Sequence, residues 1–140
     1  LNAGFICLLH KKMFSNVWKW AGKYRKSQKN IGIPHFHIAV ELQTLCDDAG
    51  AWLEYETYMP DEFAVKFHHR LVYIHPFSNG NGRHARLMAD LILEKIFSTE
   101  PFTWGKESMT SHNKTRENYI IALKQADEHD YSLLLEFVRS

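Results

Sequence analysis

The chain has 140 residues, a formal net charge of +1 and a hydrophobic content of 45%. This length suits one domain with a core of its own and is short for two. The balanced charge argues against nucleic-acid binding, for which a basic stripe is expected. No apolar run approaches a membrane span, and no signal peptide is visible. We therefore expect a cytoplasmic protein that has neither a nucleic acid nor a membrane as a partner.

Hydrophobic periodicity predicts a mainly helical fold. The helical patterns cover approximately residues 2–20, 41–55, 60–75, 83–96, 113–126 and 130–138. The third helix must end near His75, because Pro76 disfavours helical geometry in the residue before it. Between residues 22 and 40, glycines, a proline and extended-type side chains predict a loop that contains a short hairpin. The expected fold class is all-α with one small β excursion.

Two features flank the first predicted helix. The chain begins at Leu1 with helical periodicity already present, and we interpret residues 1–140 as a single domain from which an N-terminal segment is missing. A cluster of basic residues follows this helix in the sequence, and we interpret it as a solvated loop: Lys23, Arg25, Lys26 and Lys29.

The stretch from His75 to Arg86 is the most informative part of the sequence. It reads His-Pro-Phe-Ser-Asn-Gly-Asn-Gly-Arg-His-Ala-Arg and joins two predicted helices. Glycines on both sides of Asn81 permit unusual backbone torsions, so that successive N–H groups can point into one concavity and bind an anion. The following helix adds the free N–H groups and favourable dipole of its N-terminus. The stretch therefore predicts a phosphate-binding loop.

Three side chains strengthen this interpretation. Arg83 and Arg86 share a helix face, where two guanidinium groups suit a polyphosphate. His75, at the other end of the loop, can take a proton near neutral pH. Each feature alone is ordinary, because such a glycine run is usually a turn, an arginine pair usually faces solvent, and a histidine at a helix end is usually a cap. Their occurrence in one short stretch favours a functional site.

The stretch resembles the signature of the Fic (Fic/Doc, Fido) family, His-Pro-Phe-x-(Asp/Glu)-Gly-Asn-Gly-Arg-x-x-Arg. It matches at every fixed position except Asn79, where the family usually has a carboxylate. Residues 9–14 and 20–25 resemble the segment ahead of the family's flap, residues 29–33 resemble the flap hairpin, and residues 119–123 resemble a later core helix. The wider pattern is similar to a bacterial subgroup called mobile mystery protein B.

The resemblance implies a Fic-type helical domain with a small β-hairpin flap, acting as a protein adenylyltransferase. Such an enzyme moves AMP from ATP to a Ser, Thr or Tyr hydroxyl of a target protein. His75 is then the general base for that hydroxyl, and Phe77 packs into the core. The implied catalytic set is His75, Asn81, Arg83 and Arg86. The implied nucleotide-binding set is Asn79, Gly80, Asn81, Gly82, Arg83 and Arg86.

The resemblance also implies how the target and the transferred group are selected. Ile31, Gly32 and Ile33 of the flap would hold the target backbone as an added strand. Relatives that phosphorylate carry lysine at the position of Gly82, so that glycine here favours AMP transfer. Transfer of another phosphate-linked group, such as phosphate, UMP or phosphocholine, stays an alternative.

Asn79 is the departure from the family pattern. The carboxylate at this position binds Mg²⁺ in the family, and an amide oxygen can still ligate the ion but brings no charge. We expect weak binding of Mg²⁺ by Asn79 and reduced activity. The second hypothesis is therefore a nucleotide-binding regulatory module with little or no turnover.

Regulation and other sites complete the sequence-based expectations. The family's inhibitory pattern, (Ser/Thr)-x-x-x-Glu-(Gly/Asn), is absent from the chain, so we expect an inhibitory segment in a missing N-terminal part or on an antitoxin partner. His68 and His69 are interpreted as packing or surface residues. The doublet His129-Asp130, which resembles that of metal phosphohydrolases, is interpreted as a helix boundary with an aspartate cap.

Overall fold

Six α-helices build the protein in the computed structural model, which describes residues 1–140. In chain order they are α1 Ala3–Phe14, α2 Ile38–Glu54, α3 Pro60–Ile74, α4 Asn81–Leu91, α5 His112–Asp127 and α6 Ser132–Val138. A single 3-10 turn, His35–His37, precedes α2, and a π-helical turn, Ile92–Ile96, continues α4. The predicted helical fold class is confirmed. None of these helices combines the length and the apolar character that a membrane crossing needs.

The two ends of α3 follow from local sequence. Pro60 lies in the first turn, where its missing N–H costs nothing, and Asp61 and Glu62 complement the helix dipole. His75 follows the last residue of the helix with a left-handed backbone, φ 55° and ψ 61°, and the chain then continues into Pro76. The predicted start and end of this helix are therefore both confirmed.

α3 is the central helix of the fold, because it packs against α2, α4 and α6. Phe63, Phe67 and Leu71 of this helix are each at most 1% exposed. Burying a side chain of this size contributes roughly 1.5–3 kcal/mol. α1 packs against α2 and α4. The loop that joins α3 to α4 thus emerges from the best-buried helix of the protein.

The β-hairpin predicted ahead of α2 is not formed. Residues 22–34 make turns and bends, and the structure contains no strand. A hairpin needs two arms that pair with each other, but here backbone groups bond elsewhere. The N–H of Ile33 donates to the carbonyl of Ile74 (3.4 Å), and the N–H of Arg25 donates to that of Pro76 (2.9 Å). The segment is fastened to the end of α3 and not to a second arm of its own.

Arg25 also departs from the solvated loop predicted for its basic cluster. Lys23, Lys26 and Lys29 are exposed, as expected, but Arg25 is only 2% exposed. Its guanidinium group leaves solvent because backbone carbonyls surround it, among them those of Ile33 and His75. Spacing in a basic run does not distinguish this one side chain from its neighbours.

Two histidines lie in the core in their neutral form. His68 and His84 are fully buried. The Nε2 of His84 donates to the carbonyl of Ile6 at 2.9 Å, and the Nε2 of His68 lies 2.7 Å from the hydroxyl of Tyr119 on α5. Burial lowers the pKa of His84 to about 4 and that of His68 to about 3. At mildly acidic pH these two histidines are therefore neutral in the folded state but protonated in the unfolded chain.

We predict that the free energy of unfolding falls as the pH drops from 6.5 to about 4. The unfolded histidine has the higher pKa, so the stabilisation is fully present above pH 6.5 and is lost as the pH falls toward the folded-state value. For His84 alone the loss is on the order of 3 kcal/mol. Urea unfolding at a series of pH values measures it.

The His84→Gln variant is the control for this prediction. Glutamine can still donate a hydrogen bond to the carbonyl of Ile6 but does not titrate. Its free energy of unfolding should change less steeply with pH than that of the wild type, whatever its absolute stability. Equal slopes in the two proteins would rule out His84 as a source of the acid sensitivity.

Candidate functional site

The loop from Pro76 to Gly80 is held in shape from within. Phe77 is fully buried, and its backbone exchanges two hydrogen bonds with the side chain of Asn81. The N–H of Phe77 donates to Oδ1 of Asn81 at 3.0 Å, and Nδ2 of Asn81 donates to the carbonyl of Phe77 at 2.7 Å. Gly80 has a φ of 78° and begins α4 from the left-handed region. The side chain of Asn81 therefore fixes the shape of the loop. Only the backbone N–H of Asn81 is left to bind a ligand.

His10 of α1 supports the same loop from outside. The N–H of Gly22 donates to its Nδ1 at 2.9 Å, so its proton lies on Nε2, which donates to the carbonyl of Asn79 at 3.0 Å. The ring is fully buried and stacks on Phe77, with a centroid separation of 3.8 Å. Sequence reasoning assigned no role to His10. A histidine on the buried stripe that also carries Ile6 was the available signal.

Successive backbone N–H groups of this loop have no acceptor in the protein. The N–H of Gly80 is used, because it donates to Oδ1 of Asn79 at 2.8 Å. The first α4 group that bonds back is His84, whose N–H donates to the carbonyl of Gly80 at 3.0 Å. The N–H groups left without an acceptor belong to Ser78, Asn79, Asn81, Gly82 and Arg83. Together with the N-terminus of α4 they form an environment suited to an anion.

Both arginines of the stretch are free of acidic partners. Neither Arg83 nor Arg86 forms an ion pair with a carboxylate. Aromatic rings hold them instead: the guanidinium carbon of Arg83 lies 4.8 Å from the ring centroid of Phe14, and that of Arg86 lies 4.5 Å from that of Tyr119. Two positive charges that no carboxylate neutralises thus remain available to a ligand beside the unpaired amides.

His75, the loop and both arginines line one cavity of about 750 Å³. This volume is in the usual range for small-molecule and cofactor sites. Burial lowers the pKa of His75, and the charges of Arg25 and Lys29 lower it further. The imidazole is therefore neutral near pH 7, as a proton acceptor must be.

The cavity is also lined by a histidine that the sequence analysis interpreted as a packing or surface residue. This is His69, which is 7% exposed and whose Nε2 lies 2.7 Å from Oδ1 of Asp127. Ile31 and Gly32 of the segment ahead of α2, which were predicted to hold the target, line the same cavity. Spacing along one helix could not reveal the contact between His69 and Asp127, because the two residues lie on different helices.

The side chains around the loop do not make a metal site by themselves. No group of three His, Cys, Asp or Glu side chains converges anywhere in the structure. Asn79 offers one neutral oxygen, which already accepts the N–H of Gly80. Mg²⁺ prefers oxygen ligands and is usually held by one or two carboxylates together with substrate phosphates. The residues present therefore do not fit a magnesium ion held by the protein alone.

Comparison with known proteins assigns the chain to a family. A family model described as the Fic/DOC family matches residues 1–93, which include the whole stretch from His75 to Arg86. The chain belongs to the Fic/DOC family. The predicted family is thus confirmed, whereas the similarity to the mobile mystery protein B subgroup stays a prediction.

Several Fic proteins are similar to this chain over most of its length. It is 34% identical to the protein adenylyltransferase Fic of Nematostella vectensis over 84% of the chain, and 28% identical to that of Aedes aegypti over 93%. The solved structure of Fic-1 from C. elegans superposes with a TM-score of 0.80 and 27% identity over 99% of the chain. The chain spans only 26%, 25% and 40% of these three proteins, respectively.

We predict that Gly80→Ala destabilises this Fic domain whereas Gly82→Ala does not. A Cβ at Gly80 would lie 2.7 Å from Cε2 of Phe14 on a left-handed backbone, whereas one at Gly82 meets no atom within 4 Å. We expect Gly80→Ala to lose roughly 1–3 kcal/mol. Gly82→Ala, inside α4, should lose nothing. Urea unfolding of the two variants tests this. Equal stabilities would contradict the described packing of Phe14 against the loop.

Proposed function

We propose that this Fic domain is a protein adenylyltransferase, which transfers AMP from ATP to a Ser, Thr or Tyr hydroxyl of a target protein. One observation carries the proposal: unpaired amides, two unpaired arginines and a neutral imidazole share one cavity. The amides and guanidinium groups suit a polyphosphate, and the imidazole suits a hydroxyl that must lose its proton. The names of the similar Fic proteins are consistent with this reaction.

His75 is the proposed general base. Its neutral ring takes the proton of the target hydroxyl as the hydroxyl oxygen bonds to the α-phosphorus of ATP. The bond between that phosphorus and the bridging oxygen of pyrophosphate breaks, and pyrophosphate leaves with the electron pair. The left-handed backbone at His75 turns the chain out of α3 into the loop, so that the imidazole and the loop amides line the same cavity.

The phosphates are the proposed ligands of the loop and the arginines. The N–H groups of Asn81, Gly82 and Arg83 would bind phosphate oxygens and stabilise the charge that develops during transfer. Arg83 and Arg86 would bind the outer phosphates and hold the leaving pyrophosphate. Because no carboxylate competes for these two side chains, the positive charge of the site is available to the phosphates.

The nucleoside and the target would occupy different parts of the cavity. Val72, Ile120 and Leu123 give the cavity apolar walls suited to a base. Ile31, 62% exposed, and Gly32 also line the cavity, and Gly32 lies against His75. These two residues and Ile33 are the proposed docking segment for the target backbone. A target that docks there brings its hydroxyl to the imidazole.

Magnesium enters this proposal only with the phosphates of ATP. The chain contributes at most the amide oxygen of Asn79 to such an ion, and the two arginines supply positive charge that needs no metal. The alternative, a nucleotide-binding module with little turnover, is favoured by this one neutral side chain. The two functions differ in whether label from ATP becomes covalently attached to protein.

We predict that ATP labelled at the α-phosphate transfers label to protein, whereas ATP labelled at the γ-phosphate does not. The assay uses this domain, Mg²⁺ and a cell lysate as the source of targets. His75→Ala should abolish transfer, because the base is lost, while the affinity for a non-hydrolysable ATP analogue changes by less than about threefold.

The outcomes of this assay are distinct. Attachment of γ-label instead of α-label would replace AMP transfer by phosphorylation. Binding of the ATP analogue without attachment of either label would favour the regulatory module. Full transfer by His75→Ala would remove His75 from the role of general base.

We predict that Asn79→Asp raises both the affinity for Mg²⁺ in the presence of ATP and the rate of transfer. Aspartate restores a charge beside the phosphates and can still accept the N–H of Gly80. A gain of about tenfold corresponds to only ~1.4 kcal/mol, well within the attraction between a carboxylate and a dication. Calorimetric titration of an ATP analogue at several Mg²⁺ concentrations measures the first effect, and label transfer measures the second.

Asn118→Asp, an exposed site on α5 outside the cavity, adds the same charge and serves as the control. It should leave the affinity for Mg²⁺ and the transfer rate unchanged. Unchanged values in Asn79→Asp as well would mean that the missing charge does not limit the reaction.

A further inference from the structure

Arg25 forms a buried fork that bonds to two separate parts of the backbone. Its Nε donates to the carbonyl of His75 at 2.6 Å, and its Nη2 donates to that of Ile74 at 3.2 Å. The same Nη2 donates to the carbonyl of Ile33 at 2.5 Å, and Nη1 donates to that of Ser27 at 3.1 Å. One side chain thus holds the segment from Ser27 to Ile33 against the residue that we propose as the base.

The positive charge of Arg25 is buried although no acidic side chain pairs with it. Arg25 is 2% exposed and forms no ion pair. A cation loses hydration when it is buried, and here carbonyl oxygens alone replace the water. Two of them, those of Ile74 and His75, lie at the C-terminal end of α3, where the helix dipole favours a positive charge. The arginine therefore also satisfies carbonyls that the helix end leaves free.

We call Arg25 and the four carbonyls that it binds the arginine clip. Gly32 shows how closely the residues of this clip pack together. With a φ of 93°, its backbone passes so near that an added Cβ would lie 2.7 Å from Cβ of His75 and 2.8 Å from Nη2 of Arg25. The carbonyl of Ile74 would be 3.2 Å from the same Cβ. The docking segment, the arginine and the histidine are thus in contact at one point.

We propose that Arg25 is a positioning residue that fixes His75 and the segment from Ser27 to Ile33 relative to each other. This inference rests on the proposed function, in which the two parts must present a base and a target hydroxyl together. Arg25 touches neither reactant, and acts through the backbone carbonyls it binds. A planar fork with donors on three nitrogens can bridge the two chain segments, whereas the single nitrogen of lysine cannot.

The test compares Arg25→Gln and Arg25→Lys with the wild type. Hydrogen exchange of the Ile33 N–H, which donates to the carbonyl of Ile74, should accelerate by about tenfold or more in both variants, while exchange in α2 and in the rest of α3 stays unchanged. The turnover number for AMP transfer should fall by about 100-fold, because the base and the target lose their alignment. The affinity for an ATP analogue should change by less than about threefold, since the phosphate loop is untouched.

Arg70→Gln is the matched control. Arg70 is a partly buried arginine of α3 whose partner is the carboxylate of Asp48, and it forms no hydrogen bond with His75. It should leave both the exchange of the Ile33 N–H and the turnover number unchanged. If Arg25→Lys behaves like the wild type, or if exchange accelerates throughout the protein instead of locally, the positioning role is wrong.

Gly32→Ala tests the clip without removing the arginine and covers the case in which the Arg25 variants fail to fold. Its methyl group would force Arg25 and His75 apart, so we expect the same local acceleration of exchange. Gly50→Ala, whose Cβ meets no atom within 4 Å, is its control. Unchanged exchange in Gly32→Ala overturns the inference. Exchange needs no catalysis, so the expected exchange in a chain that transfers no AMP would contradict the proposed function alone.

Discussion

The whole candidate site depends on a backbone that leaves several N–H groups unpaired while remaining rigid. Unpaired amides cost free energy when they are removed from water, so a loop of this kind needs compensation elsewhere. Here Asn81 bonds to both polar groups of Phe77, and the Phe77 ring is fully buried. His10 fixes the far side through the carbonyl of Asn79. Rigidity comes from buried side chains, and the amides stay free for a ligand.

The electrostatics follow the same arrangement. Most of the charged side chains that line the cavity are positive, and the two arginines nearest the loop pack on aromatic rings and not on carboxylates. A ring face attracts a guanidinium group without occupying its hydrogen-bond donors in the plane. Burial and nearby positive charge also lower the pKa of His75. The site can therefore attract a polyanion and still contain a neutral base.

Sequence reasoning predicted the parts of this site that depend on local pattern. The helix bounded by Pro60 and His75 and the placement of Arg83 and Arg86 beside the glycine loop follow from spacing and proline chemistry. The role of Arg25 does not, because its four carbonyl partners are backbone groups that any sequence would supply. The predicted hairpin ahead of α2 is absent for the same reason. Its backbone bonds to the end of α3, a long-range choice that β-type residues could not reveal.

The hydrogen bond between His10 and position 79 has an evolutionary consequence. The imidazole of His10 donates to the main-chain oxygen of residue 79, which every amino acid possesses. Replacement of the side chain at position 79 therefore leaves this hydrogen bond in place. The amide of Asn79 then contributes only a bond to the next residue, which a carboxylate could equally make. Substitution at this position can therefore alter the chemistry of the reaction while the architecture is inherited unchanged.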